Sequence, residues 1–230
     1  MTTSPTSSNA ENELRARVGA ALDEVRERVA RVGADPETIR IVAVTKTFGP
    51  EAVRAAAAAG VGAVGENYVA ELEAKRAQCS EVPVRWHYLG ALQTNKIARV
   101  LAVADLLCAV SRAREIDRIA ARRPGAAVYI ELDTTGRAER PGASEGEVPD
   151  LVARARDAGL DVEGLMTVAP QDEVGARGAF ATLARLADRL SLVERSMGMS
   201  EDFETAARYG TTEIRLGRLL FGPRVISTGP

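Results

Sequence analysis

Apolar positions along the chain follow two rhythms that take turns from one end to the other. One recurs every three to four residues; the other is a short, nearly continuous apolar run rich in Val, Ile and Leu. The first rhythm opens with Leu14, Val18, Ala21, Leu22, Val25 and Val29, one face of a helix predicted over Glu11–Val32, with Gly33 as its C-terminal cap. Strands are predicted at Ile39–Thr45, Ala63–Gly65, Val84–Leu89, Leu106–Val110, Ala127–Leu132, Asp161–Leu165, Leu192–Ser196 and Glu213–Leu216. Between them the helical rhythm returns at Pro50–Ala59, Tyr68–Gln78, Asn95–Val103, Arg112–Arg122, Glu147–Ala158, Gly175–Leu190 and Ser200–Tyr209, ending in a short turn at Leu219–Phe221. Pro50 suits a first helical turn, and Ser111 is a cap residue.

About eight strand–helix units in regular alternation imply parallel strands with helices outside. The fold expected is a single-domain α/β protein, a (β/α)₈ TIM barrel with an extra N-terminal helix. The alternative, an open doubly wound sheet, lacks a G-x-G-x-x-G after its first strand. Residues 1–10, polar and Thr/Ser-rich at the start, are expected to form a disordered tail, and residues 11–230 the barrel.

Composition narrows the function. The 230 residues fit one large domain, and 46% of them are apolar, enough for a sizeable core. With 30 basic and 32 acidic residues the net charge is −2, which gives no electrostatic case for nucleic acid. Cys79 and Cys108 have no CxxC spacing, and His87 is the single histidine, so no metal site is expected. The longest small apolar run, Ala55–Val64, is broken by Gly60 and Gly62 and is too short to cross a bilayer. No signal peptide is visible. A cytoplasmic protein without membrane contact is expected.

Barrels place chemistry at the C-terminal ends of their strands. Here those positions are Lys46, Glu66–Asn67, His87, Asp133, Met166–Thr167, Ser196 to Ser200, and Arg215 with Gly217. Read alone, Lys46 marks the point where a strand exits to solvent. On an apolar strand end, however, lost hydration lowers a lysine's pKa and frees the amine that condenses with an aldehyde. Ser196-Met197-Gly198-Met199-Ser200 and Arg215-Leu216-Gly217-Arg218 follow the last two strands, where barrels commonly bind phosphate, and Gly198 allows close backbone approach. An aldehyde-reactive lysine facing a phosphate nest points to pyridoxal 5′-phosphate (PLP). Arg215 beside that nest donates hydrogen bonds and never accepts them, so a pyridine nitrogen facing it stays unprotonated. Such a site holds PLP well and activates it weakly. The loop Asp133–Gly146 reads equally as a lid or as an idle surface connection, and His87 as a structural histidine or a site residue.

Ala43-Val44-Thr45-Lys46-Thr47, Gly65-Glu66-Asn67-Tyr68-Val69, Trp86 through Lys96, Gly164-Leu165-Met166-Thr167, Ser196 through Ser200, and Arg215-Leu216-Gly217 through Gly222 together resemble the pyridoxal 5′-phosphate homeostasis protein family, in order and over about Glu11 to Arg224. The resemblance implies a barrel like the N-terminal domain of alanine racemases. It implies Lys46 as the Schiff-base lysine, Arg215 facing the pyridine nitrogen, and Ser200, Gly217 and Arg218 at the phosphate. Asn67 and His87 are implied near the cofactor, with Met166 packing beside it. The implied role is that of a non-catalytic PLP carrier or buffer in vitamin B6 homeostasis, passing cofactor to PLP-dependent apo-enzymes. The alternative is a PLP-dependent racemase or lyase, and a third reading is a regulatory barrel that binds a protein partner. Because alanine racemases continue into a second domain and this sequence ends at Pro230, a monomer without racemase activity is expected. Three positions depart from the family pattern. Glu131-Leu132-Asp133 replaces a Gln-x-Asn strand end, Arg140-Pro141-Gly142 replaces a lysine before glycine, and Arg218 replaces a threonine whose hydroxyl is worth about 0.5–1.5 kcal/mol.

Overall fold

The structure, a computed structural model, describes residues 5–136 and 140–223. Eight strands form it: β1 (Arg40–Val44), β2 (Ala63–Glu66), β3 (Arg85–Tyr88), β4 (Leu106–Val110), β5 (Ala127–Leu132), β6 (Asp161–Thr167), β7 (Glu194–Ser196) and β8 (Glu213–Leu216). They pair in sequence order, all parallel, and β8 returns to β1 to close the barrel. Helices α2 (Pro50–Ala58), α3 (Val69–Gln78), α4 (Ile97–Val103), α5 (Ala113–Ala120), α6 (Val148–Asp157), α7 (Glu173–Arg189), α8 (Phe203–Arg208) and α9 (Arg218–Phe221) follow the strands in turn. This is the (β/α)₈ architecture that the alternating rhythms predict.

The extra helix α1 spans Pro5–Arg31. It begins earlier than the sequence pattern suggests: residues 5–10, expected in the tail, lie within it, while residues 1–4 lie outside the described residues. Proline is tolerated in a first helical turn because its missing N–H has no intrahelical acceptor there. The apolar stripe of α1, Val18, Leu22, Val25 and Val29, is buried. It lies against α2, α8 and α9, so α1 covers the helices that flank the β1–β8 seam.

Alternation along each strand separates two cores. Outward residues such as Val64, Leu107, Ile130 and Leu165 pack with helix side chains including Phe180 and Leu183. A second cluster of Leu106, Cys108, Tyr129 and Met166 fills the barrel interior. At the N-terminal end the interior is polar and closed by ion pairs. Arg40 donates to Glu194 (2.7 Å) and Glu213 (3.3 Å), and Arg85 makes a two-point contact with Glu163. Tyr129 adds a hydroxyl to Glu213 at 3.3 Å. With that end stoppered, the opening lies at the C-terminal ends of the strands.

Candidate functional site

A cavity of about 430 Å³ occupies the C-terminal mouth. Seven of the residues expected at a cofactor line it: Lys46 after β1, Asn67 after β2, Met166 on β6, Ser200 after β7, Arg215 on β8, and Gly217 and Arg218 after β8.

Lys46 is half-buried, and the chain on both sides of it is clamped. On one side the Thr45 carbonyl accepts from Lys75 Nζ at 2.6 Å. On the other, the Thr47 N–H donates to Glu71 Oε2 at 2.8 Å. Thr47 has a φ of 69°, a left-handed conformation that costs a non-glycine residue about 1–2 kcal/mol. Lys75 ties the clamp together, donating also to Glu66 Oε1 (2.6 Å) and Glu71 Oε2 (3.1 Å). Glu66 sits at the end of β2 facing α3, and Thr45 Oγ1 donates to the same oxygen at 2.6 Å. Burial pushes the Glu66 pKa up, against the opposing pull of the Lys75 and Thr45 hydrogen bonds. Burial acts on Glu71 too, but there the Thr47 N–H and Lys75 win and its pKa is lowered.

Arg215 is 5% exposed and rigidly held. Its guanidinium donates to the Ser196 carbonyl and hydroxyl, both at 2.7 Å, and to the Thr167 carbonyl at 2.7 Å. Ser196 Oγ donates onward to Glu213 Oε1 at 2.7 Å. The cation is therefore fixed by neutral oxygens of β6 and β7 and keeps its charge for the cavity.

The two loops expected to hold phosphate stand side by side. Gly198 has φ 98°, and a Cβ there would come within 2.7 Å of the Ala206 side chain. Only glycine lets the chain turn so tightly against α8. The turn is closed by the Met199 N–H donating to Asp202 Oδ1 at 2.5 Å. Gly217 passes close to β1, where a Cβ would lie 3.2 Å from the Val44 carbonyl oxygen. Among the described residues, no acceptor takes the N–H of Ser200 or of Arg218, so both remain to serve an anion. The Arg218 guanidinium is exposed and pairs with Glu201 at the rim, bridging the two loops.

His87 is not brought to the cavity. It lies inside the barrel beneath the mouth, fully buried, with Nδ1 3.7 Å from Glu213 Oε2. Burial lowers its pKa, partly offset by Glu213, so it is a neutral interior residue. Register explains this: His87 is level with Leu106, the first residue of β4, and faces Glu213, the first residue of β8, so it belongs to an interior layer beneath the strand ends. Conversely, Glu131 lines the cavity. The sequence marks it only as a departure from a family pattern; its period-2 spacing from Tyr129 and Ala127 is the signal that points it inward. Of the loop Asp133–Gly146, residues 137–139 lie outside the described residues. Ala143 returns to pair with the end of β5, exchanging hydrogen bonds at 2.8 Å with Asp133 N–H and the Glu131 carbonyl, and Pro141 lines the cavity.

The donor set suits a phosphorylated aldehyde on an unprotonated heteroaromatic ring. It offers one amine, one fixed guanidinium that only donates, and backbone N–H groups for a phosphate. Among the described residues no group of His, Cys, Asp and Glu could hold a metal ion.

The family model described as "Alanine racemase, N-terminal domain" matches residues 20–225. A pyridoxal phosphate homeostasis protein of Deinococcus radiodurans is 37% identical over 209 residues, 89% of this chain and 99% of that protein. Its counterpart in Pseudomonas aeruginosa is 33% identical over 210 residues, 87% of this chain and 91% of that one. Among solved structures, PipY of Synechococcus elongatus PCC7942 with PLP bound superposes with a TM-score of 0.73 at 29% identity, covering 89% of this chain and 100% of that one.

Proposed function

We infer that this chain, which belongs to the pyridoxal phosphate homeostasis proteins and is built on an alanine racemase N-terminal domain, binds pyridoxal 5′-phosphate in the barrel mouth and serves as a carrier and buffer of that cofactor rather than as an enzyme. The observation that carries the reading is the clamped Lys46 on one wall of a cavity whose neighbouring wall holds a fixed Arg215 and two loops with free N–H groups. When bound, the cofactor supplies an aldehyde that condenses reversibly with a primary amine.

The chain's own residues do the rest. Lys46 is the anchoring amine, and Lys75 and Glu71 hold its flanking peptides so that the amine enters the cavity at one point. Ser200, Gly217 and Arg218 receive the phosphate by backbone N–H donation, with the rim pair Glu201–Arg218 tying their loops together. Arg215 donates to the ring nitrogen and keeps it without a proton, which restrains electron withdrawal by the ring. Asn67 and Met166 complete the wall. His87 supports the interior and does not touch the ligand.

PLP-dependent apo-enzymes are the recipients in this reading, and the protein acts as a cytoplasmic monomer. No helix among the described residues is long and apolar enough to cross a membrane. The test is handover. PLP-loaded protein mixed with an apo-enzyme across a dialysis membrane, and in direct solution, should restore enzyme activity in both formats. L- and D-alanine added to loaded protein should show no interconversion beyond that of Lys46→Ala. Turnover above that background would replace the carrier reading with a racemase.

A further inference from the structure

Among the described residues, Glu131 is the buried carboxyl around the barrel for which no hydrogen-bond donor is found. It lies on β5, opposite β1 in the eight-stranded ring, is 5% exposed and lines the cavity. Its Oε2 is buried without a hydrogen-bond partner. The other buried carboxylates are served: Glu213 by Ser196, Tyr129 and Arg40, Glu66 by Thr45 and Lys75, and Glu115 by the Ser111 and Arg112 N–H groups. The acidic groups at the cavity rim are also engaged, Asp202 with the Met199 N–H and Glu201 with Arg218. A buried carboxyl without a partner destabilises a fold. One that faces a ligand cavity is accounted for when the ligand provides the partner.

The chemistry of the ligand says which partner, and here the inference rests on the PLP reading above. Pyridoxal phosphate has four polar points. Lys46 takes the aldehyde, the loops after β7 and β8 take the phosphate, and Arg215 takes the ring nitrogen. The ring hydroxyl is left over on the ligand, and Glu131 is left over on the wall. We propose that Glu131 is a ligand-contacting residue whose carboxyl hydrogen-bonds the ring hydroxyl of bound pyridoxal phosphate and selects for ligands that carry it.

The electrostatics agree. Burial pushes the Glu131 pKa up to about 7, with Glu115 on α5 and Asp133 after β5 raising it further and Arg215 on β8 and Arg112 ahead of α5 opposing. A carboxyl so poised matches a phenolic oxygen, with which it shares one proton across neutral pH.

The experiment compares PLP with 3-deoxypyridoxal 5′-phosphate on wild-type protein and Glu131→Leu, with affinity by spectroscopic titration and melting of the ligand-free proteins. Wild type should prefer PLP by roughly tenfold or more, the worth of a hydrogen bond to an ionisable group. Glu131→Leu should lose that preference while melting no lower than wild type, because leucine removes the unpaired carboxyl. A residue with a merely structural role would lower the melting temperature and leave the preference intact, and that result overturns the inference. Equal binding of both ligands by wild type overturns it alone; uptake of neither overturns the PLP reading as well. Should Glu131→Leu fail to fold, Glu131→Gln replaces it. The wild-type preference should then vary with pH across neutrality and the glutamine variant's should not; the same pH dependence in both overturns the proposal.

Discussion

Replacing Lys75 by methionine tests how Lys46 is held in place. Lys75 and Glu66 side chains are 6% and 0% exposed, with Nζ 2.6 Å from Glu66 Oε1. Methionine fills a similar volume but leaves the Glu66 carboxylate with only the Thr45 hydroxyl, since its second oxygen already lacks a partner. Breaking one side of a buried ion pair costs about 3–5 kcal/mol. For a chain of this size, each kcal/mol lowers the melting temperature by about 2–4 °C, so a drop of roughly 6–20 °C is expected. The loss should depend on pH in a fixed direction. Burial already raises the Glu66 pKa, and removing Lys75 raises it further. A carboxyl whose folded pKa is raised contributes stability that is present at low pH and lost as pH rises through that pKa. Lys75→Met should therefore be milder near pH 5 than near pH 8. The assay is circular-dichroism melting of ligand-free wild type, Lys75→Met, Glu66→Gln and the double variant at both pH values. The double variant, which buries no charge, should regain most of the stability yet still bind PLP more weakly, because the Thr45 carbonyl has lost its clamp. A Lys75→Met protein within about 1 kcal/mol of wild type at both pH values would refute the reasoning.

Three further outcomes are expected. Arg215→Lys keeps the charge but cannot reproduce the fork that reaches Ser196 and Thr167, so PLP titration should show affinity roughly tenfold lower or worse. Gly198→Ala forces a side chain into a left-handed position against Ala206. It should destabilise by roughly 1–3 kcal/mol in denaturant titrations and weaken competition by inorganic phosphate through displacement of Met199 and Ser200. Arg218→Thr removes a rim ion pair whose members are 63% and 68% exposed. Melting should hardly change, and a hydroxyl reaching the phosphate should tighten PLP binding by roughly two- to tenfold.

The barrel was legible in the sequence because both rhythms are strong and recur eight times: outward strand residues such as Val64 and Ile130 pack against helix side chains such as Phe180 and Leu183, and eight such units close a ring. Seven of the eight expected site residues meet at the mouth because strand ends converge there. What escaped was depth and pairing. His87 is level with the first residue of β4 and faces the first residue of β8, so it sits beneath the cavity, a matter of inter-strand register that the sequence does not give. The Lys75 clamp escaped because it joins a helix residue to the outward side of two strands, and a lysine on a helix reads as a solvated charge. Arg218 found its partner in Glu201, a contact between two loops that no local pattern encodes.

The central claim is that Lys46 anchors pyridoxal phosphate. The most direct test is to load the purified protein with PLP, record the visible spectrum, reduce with borohydride and map the modified residue by mass spectrometry. The account predicts a yellow protein with a phosphopyridoxyl group fixed on Lys46 and none in Lys46→Ala. A protein that stays colourless with added PLP, or one modified chiefly at Lys75 or Lys96, would contradict it.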